Sequence, residues 1–324
     1  MLNPGHLGCS MELQKAISDR LAFALENIDL SATYRELLLS VVADFLKVQF
    51  SREGSSKPLI YLPSLSCEAF GADPQRSVGV TTAWFLLYVS AYLLDKVEDQ
   101  ELIGPEKNKL GVTANLSTGM IFVAEWILNH LELDCVDTST AWDIQQAFQE
   151  AVLSVCSGQH MDLSASSPDL KVCWEIAEAK SGAAFGLACY SGSRLATKRS
   201  DWLQSMQQFG RLLGTVVQIS DDLEDLPQPL SECCQPGGLG SIFSAYARFV
   251  DSCTPNKRGC QHKTDLFQQQ NAIRNGSVLY LRFEAVKYAE MARRELTPLR
   301  LAEESKSELL ALISHVSLFG GCEN

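Results

Sequence analysis

The sequence has no excess of positive charge: its 324 residues carry 27 lysines and arginines against 39 aspartates and glutamates, a formal net charge of −12. Nucleic acid and anionic membrane surfaces would repel most of such a surface, so neither is expected as a partner. An anionic ligand would need metal ions or a local cationic patch. Met1–Ser10 lacks a basic region followed by an apolar run and does not read as a targeting leader. Its longest apolar stretches, Phe85–Leu94 and Met120–Ile127, are too short to span a bilayer. The expectation is a soluble, cytoplasmic protein without a transmembrane segment.

Alternating apolar and polar runs of β-branched residues are almost absent too, which argues against sheet. No internal repeat and no interdomain linker stands out. The apolar share of 46% and charged share of 20% suit a folded globular chain. Eleven cysteines are many, but Cys67, Cys156, Cys173 and Cys189 sit in apolar helix-like segments, where a free thiol packs as a small core residue. Cys233, Cys234, Cys253, Cys260 and His262 have spacings that match no closed zinc site.

What is present is helical periodicity from end to end. Apolar residues recurring at three and four predict helices over 11–28, 32–50, 76–98, 113–131, 140–157, 173–196, 201–225, 239–250, 266–296 and 298–318. The last division rests on Thr297-Pro298, an N-cap residue followed by a proline suited to the first helical position. The fold class expected is all-α, one domain over 1–324 built from about ten helices. Residues 1–30 are set apart as an N-terminal helical extension. Residues 227–265, rich in Pro, Gly and charge, are read as an irregular region suited to a flap.

Two acidic clusters end two apolar helices. Gln218-Ile219-Ser220-Asp221-Asp222-Leu223-Glu224-Asp225 closes one, and Asp95-Lys96-Val97-Glu98-Asp99 closes the other. Asp221 and Asp225 stand four apart, Asp222 and Asp225 three apart, and Asp95 and Asp99 four apart, so each set shares a helix face. Like charges within one turn destabilise a helix, and at its C-terminal end the macrodipole adds to the cost. A hard divalent cation reverses that sign, because magnesium takes carboxylate, phosphate and water oxygens. One such cluster alone reads as a solvated helix end. Two of them, each capping an apolar helix, suit a ligand with an anionic head and a greasy tail.

At these residues the sequence resembles the trans-isoprenyl diphosphate synthase, or polyprenyl synthetase, family within the class I terpenoid enzymes. Gln218, Asp221, Asp222 and Asp225 look like the family's second aspartate-rich motif, and Asp95–Asp99 takes the place of the first. Gly158-Gln159-His160-Met161-Asp162-Leu163 is similar to its G-Q-x-x-D-L element and Lys180-Ser181 to its K-T pair. The order of these elements matches over roughly 57–225. Departures are equally specific. Lys96 replaces the first motif's second aspartate, Gly54-Ser55-Ser56-Lys57-Pro58 is all that stands for the basic co-substrate element, and 100–110 offers Lys107 and Lys109 where paired arginines are expected. No lysine follows the second motif within 227–240.

The resemblance implies a helical bundle around a central apolar cavity, a homodimer, and an isoprenyl diphosphate substrate bound with several magnesium ions. It assigns Asp95, Asp99, Asp221, Asp222 and Asp225 to catalysis and metal binding, with Glu98 as a further candidate ligand. Lys180, Gln218, Gln159 and Asp162 would contact substrate, and Ala91 and Ser90 would line the prenyl pocket. Because elongation requires a second diphosphate grip and that grip is eroded, the first reading is terpene-synthase-like: ionisation of farnesyl or geranylgeranyl diphosphate followed by cyclisation or quenching. The alternative is chain elongation with isopentenyl diphosphate, and the third is a catalytically silent subunit.

Overall fold

A computed structural model of the chain describes residues 4–51, 59–99, 109–224, 242–253 and 263–319. The described residues contain no strand. They form twelve α-helices in order: α1 Pro4–Glu26, α2 Ala32–Ser51, α3 Leu62–Ala69, α4 Val78–Glu98, α5 Leu110–Leu128, α6 Thr138–Ser164, α7 Leu170–Ala177, α8 Ala183–Ala196, α9 Ser200–Glu224, α10 Ile242–Cys253, α11 Lys263–Leu296 and α12 Glu303–Phe319. A single π turn, Glu178–Gly182, joins α7 to α8.

Two of the helices begin where an aspartate side chain caps them. Asp137 accepts a hydrogen bond from the Thr140 backbone N–H at the start of α6, and Asp169 does the same for Val172 at the start of α7. The core is apolar almost throughout α4, where Val78–Leu87 lie buried among α3, α5 and α8. Such a helix is core on every face over its first half and becomes polar only at its acidic end. Trp84 ties α4 to α8: its Nε1 donates to the Ala184 carbonyl at 2.7 Å, and its ring packs edge-on against Phe185. From α1, Ile17, Leu21 and Leu25 enter the same core. A second cluster joins Cys173, Ile219, Ile242, Phe243 and Leu281, fastening α10 and α11 beside α9.

Three expectations change. A helix, α3, fills the stretch after residue 58 where none was expected, started by Pro63 at its first turn. The final helix starts at Glu303 rather than Pro298: Thr297 Oγ1 donates back to the Arg293 carbonyl, Leu299 N–H closes on Leu296, and Ala302 N–H bonds to Ala69 of α3. Finally, the apolar segments are longer than they read. Residues 74–98 and 110–128 each form a helix long and apolar enough to cross a membrane by length and composition. In the first, 72% of the apolar window is buried inside the protein, as in a core helix. For the second the share is 33%.

Candidate functional site

The site is assembled around the π turn, which adds a residue to the helix and swings successive side chains onto different neighbours. Two glycines let other helices close on it. A Cβ at Gly214 of α9 would strike the Ser181 carbonyl, and one at Gly158 of α6 would lie 2.9 Å from Ala179 and Lys180 side-chain atoms. Consecutive residues of the turn then reach the two acidic regions.

Lys180 takes the first. Its Nζ donates to Asp95 Oδ1 of α4 at 2.9 Å and to Asp162 Oδ2 of α6 at 3.1 Å, with the lysine side chain only 20% exposed. Burial alone would lower the ammonium's pKa, but Asp95 and Asp162 outweigh it and hold the group above its ordinary value. Lys180 is therefore a committed cation. On α6, one turn before Asp162, the buried side-chain amide of Gln159 has neither its oxygen nor its nitrogen hydrogen-bonded among the described residues. A buried amide with both ends unsatisfied is costly unless a ligand or water completes it.

Ser181 takes the second. Its Oγ donates to Gln218 Oε1 at 2.8 Å, and Gln218 Nε2 donates in turn to Asp222 Oδ1 at 3.3 Å. Asp222, 9% exposed, accepts with Oδ2 from the backbone N–H groups of Ile242 at 2.7 Å and Phe243 at 3.4 Å, the first two residues of α10. Asp221, the next residue back on α9, is exposed. Asp225 and 227–241 lie outside the described residues, as do 254–262 and the segments 52–58 and 100–108 that hold the expected basic elements.

The sequence-predicted residues therefore divide. Asp95, Asp162 and Lys180 meet directly, and Gln218 and Asp222 join them through Ser181. Glu98 and Asp99 are exposed at the end of α4, where Asp99 N–H bonds to the Asp95 carbonyl at 2.9 Å. Lys96 turns onto the ring of Tyr92, 5.0 Å from its centroid, and Tyr92 in turn packs against Phe45 of α2. Ser90 is fully buried with its hydroxyl donating to the Ser117 carbonyl of α5, so it packs helix on helix; Ala91 is half-buried. Two participants escaped sequence reading, the Ser181 hydroxyl as a bridge and the N-terminus of α10. Elsewhere a cavity of about 700 Å³ opens among Trp174, Glu178, Arg211, Thr215, Tyr288 and Met291, sharing none of these site residues.

No group of three or more acidic, histidine or cysteine side chains stands ready-made for a metal among the described residues. The donor chemistry nonetheless suits magnesium bound together with a phosphate-bearing ligand: oxygen donors on α4, exposed Asp221 on α9, a charged lysine held by Asp95 and Asp162, and an unsatisfied amide one turn from Asp162.

Residues 106–234 match the family model of the polyprenyl synthetases, a span that holds Gln159, Asp162, Lys180 and the whole second cluster. Over that span the chain is similar to the polyprenyl synthetase family. The match begins beyond Asp95–Asp99, where Lys96 departs from the family pattern. Solved structures share the fold over nearly the whole chain. A geranylgeranyl pyrophosphate synthetase from the archaeon Geoglobus acetivorans superposes with a TM-score of 0.70 at 19% identity, covering 94% of this chain and 98% of that one. A decaprenyl diphosphate synthase from Rhodobacter capsulatus gives 0.71 at 18% identity, with 97% of each chain covered. A geranylgeranyl pyrophosphate synthase from Corynebacterium glutamicum, complexed with isoprenyl diphosphate and magnesium, gives 0.69 at 14% identity, covering 95% and 98%. No curated protein sequence matches the chain.

Proposed function

We propose that this protein is a magnesium-dependent prenyltransferase that ionises an allylic isoprenyl diphosphate and couples the resulting cation to isopentenyl diphosphate. The observation that carries the reading is Lys180, a part-buried, charged cation stretched between Asp95 and Asp162, with the unsatisfied Gln159 amide one turn from Asp162 on α6. A diphosphate gives such a lysine oxygen acceptors and gives the amide a partner. The named activities of the fold's relatives, geranylgeranyl and decaprenyl diphosphate synthases, weigh toward elongation over cyclisation.

Magnesium, held by Asp95 and Asp99 on one side and by Asp221 with Asp225 on the other, would neutralise the diphosphate and act as a Lewis acid for C–O cleavage. The chain's own groups do the rest. Lys180 binds diphosphate oxygens as a point charge that stays protonated. Gln159 orients the head group through both ends of its amide, and Ser181 with Gln218 holds α9 in register with the π turn. Trp84 and Phe85, buried on α4, belong to the apolar wall that keeps water from a cation. No side chain need act as a nucleophile.

Single-substrate ionisation with cyclisation is the second reading, supported by the absence of arginine from 100–110. A silent subunit is the third and leaves the charged Lys180 triad without a purpose. Homodimerisation is supported by large apolar side chains left exposed on α5 and α6: Phe122 at 65%, Trp142 at 67% and Leu153 at 70%. A soluble protein with one domain is supported by the burial of α4 and by the common core that joins α1 to α6 with α8, α9, α11 and α12.

Incubation of the protein and magnesium with geranyl, farnesyl or geranylgeranyl diphosphate, each with and without isopentenyl diphosphate, separates the readings. Elongated diphosphates that require isopentenyl diphosphate are the expected products. Hydrocarbon or alcohol formed from the allylic substrate alone would establish cyclisation instead.

A further inference from the structure

We infer that Asp222 is a positioning residue that clamps α10 onto the site, and that within the Asp221–Asp222 pair it is not a metal ligand. Neighbours on a helix point about 100° apart, so the two carboxylates face different surroundings. Asp221 is exposed, whereas Asp222 is 9% exposed and both its oxygens are engaged. Oδ1 receives the Gln218 amide and Oδ2 receives the first two N–H groups of α10.

The first N–H groups of a helix have no partner within it and favour an anion. Here the cap comes from another helix, twenty residues earlier in the chain. Ile242 and Phe243 are each 1% exposed, so water is not at hand to replace it. Were Asp222 to turn to a metal, these buried donors would be stranded and Gln218 would lose its acceptor. Ser181 would then lose the partner that fixes the π turn, and Lys180 is the next residue. Asp222 thus joins α10, α9 and the π turn into one hydrogen-bonded line ending beside the diphosphate-binding lysine.

The line has a testable symmetry. With Asp222→Asn, the new side-chain oxygen still accepts from Ile242 and Phe243. Its Nδ2 then needs an acceptor, which Gln218 supplies by rotating its amide, and the freed Gln218 nitrogen donates to the Ser181 hydroxyl. Every bond survives, with the donor and acceptor roles reversed along the path from Ser181 through Gln218 to position 222. By contrast, Asp222→Ala removes the cap outright.

Amide hydrogen exchange on the metal-free protein reads the clamp directly. Exchange in 242–247 should quicken at least about tenfold in Asp222→Ala and return to within about threefold of the parent in Asp222→Asn. Titration of magnesium with inorganic pyrophosphate reads the ligand question, which alone rests on the function proposed above. Asp222→Asn should bind within about threefold of the parent, while Asp221→Asn should lose at least about tenfold. The inference is overturned if Asp222→Ala leaves the protection of 242–247 unchanged, or if Asp222→Asn loses pyrophosphate binding with that protection intact. Failure of the parent to bind pyrophosphate with magnesium would count against the proposed function, and the exchange result would still decide the clamp.

Discussion

Replacing Lys180 by methionine removes the cation and keeps most of the side chain's length. Asp95 Oδ1 and Asp162 Oδ2 are bonded to one nitrogen at 2.9 and 3.1 Å, so they lie within about 6 Å of each other. Two unit charges at about that distance repel by roughly 3 kcal/mol at an effective dielectric near 20. Asp95 is 43% exposed, so solvent screens part of this, while two charge-assisted hydrogen bonds are also lost. A net destabilisation of about 2 kcal/mol follows, or roughly 2–5 °C in Tm for a chain of this size. Thermal scanning of Lys180→Met, Asp162→Asn and the double variant checks it: Asp162→Asn should recover part of the loss, with a coupling of about 1 kcal/mol. A Lys180→Met protein as stable as its parent, with no coupling to residue 162, would refute the triad.

Other consequences are independent of that cation. Gly214→Ala drives a methyl into the Ser181 carbonyl and should cost about 1–3 kcal/mol, whereas Gly276→Ala, in α11 with nothing within 4 Å, should gain up to about 1 kcal/mol; denaturant midpoints compare them. Burial pushes the thiols of Cys67, Cys173 and Cys189 up to about 12, so an alkylating probe analysed by mass spectrometry should label exposed Cys135 and Cys156 first and these three only on unfolding. Because these folded-state values lie above that of an unfolded thiol, near 8.5, their contribution to stability is complete below about pH 8 and is lost as pH rises toward 12. Light scattering should show a dimer that Phe122→Asp with Trp142→Asp converts to monomer; a variant still dimeric would move the interface off α5 and α6.

Features encoded by local pattern were legible in the sequence. Helix periodicity located α2, α4, α9 and α11 to within a few residues but read α7, the π turn and α8 as one helix, and acidic clusters at the ends of two apolar helices marked where charge had to be answered. Features made by distant chain segments were not. The bond from Asp222 to α10 joins side chain and backbone twenty residues apart in the chain, so spacing within 218–225 could only suggest that all three aspartates serve alike. Ser181, read as half of a K-T-like pair, gave no sign of reaching Gln218. Lys96, at the place of an aspartate, lies over the Tyr92 ring one turn away, a contact that spacing did not reveal. Ser90 was small enough to line a pocket, but α5 presents a carbonyl to it. Reading Thr297-Pro298 as a helix start failed because the Thr297 hydroxyl closes the preceding helix instead of opening the next. The preference for cyclisation came from the eroded basic elements at 54–58, 100–110 and 227–240, a signal about one subsite only.

Pyrophosphate release from farnesyl diphosphate in the presence of isopentenyl diphosphate, followed while magnesium is titrated from zero, tests the central claim most directly. Release that is absent in chelator, rises with magnesium and falls at least about a hundredfold in Lys180→Met is the outcome predicted by a site built on Lys180 between Asp95 and Asp162. Release independent of magnesium, or unchanged by loss of Lys180, would contradict it.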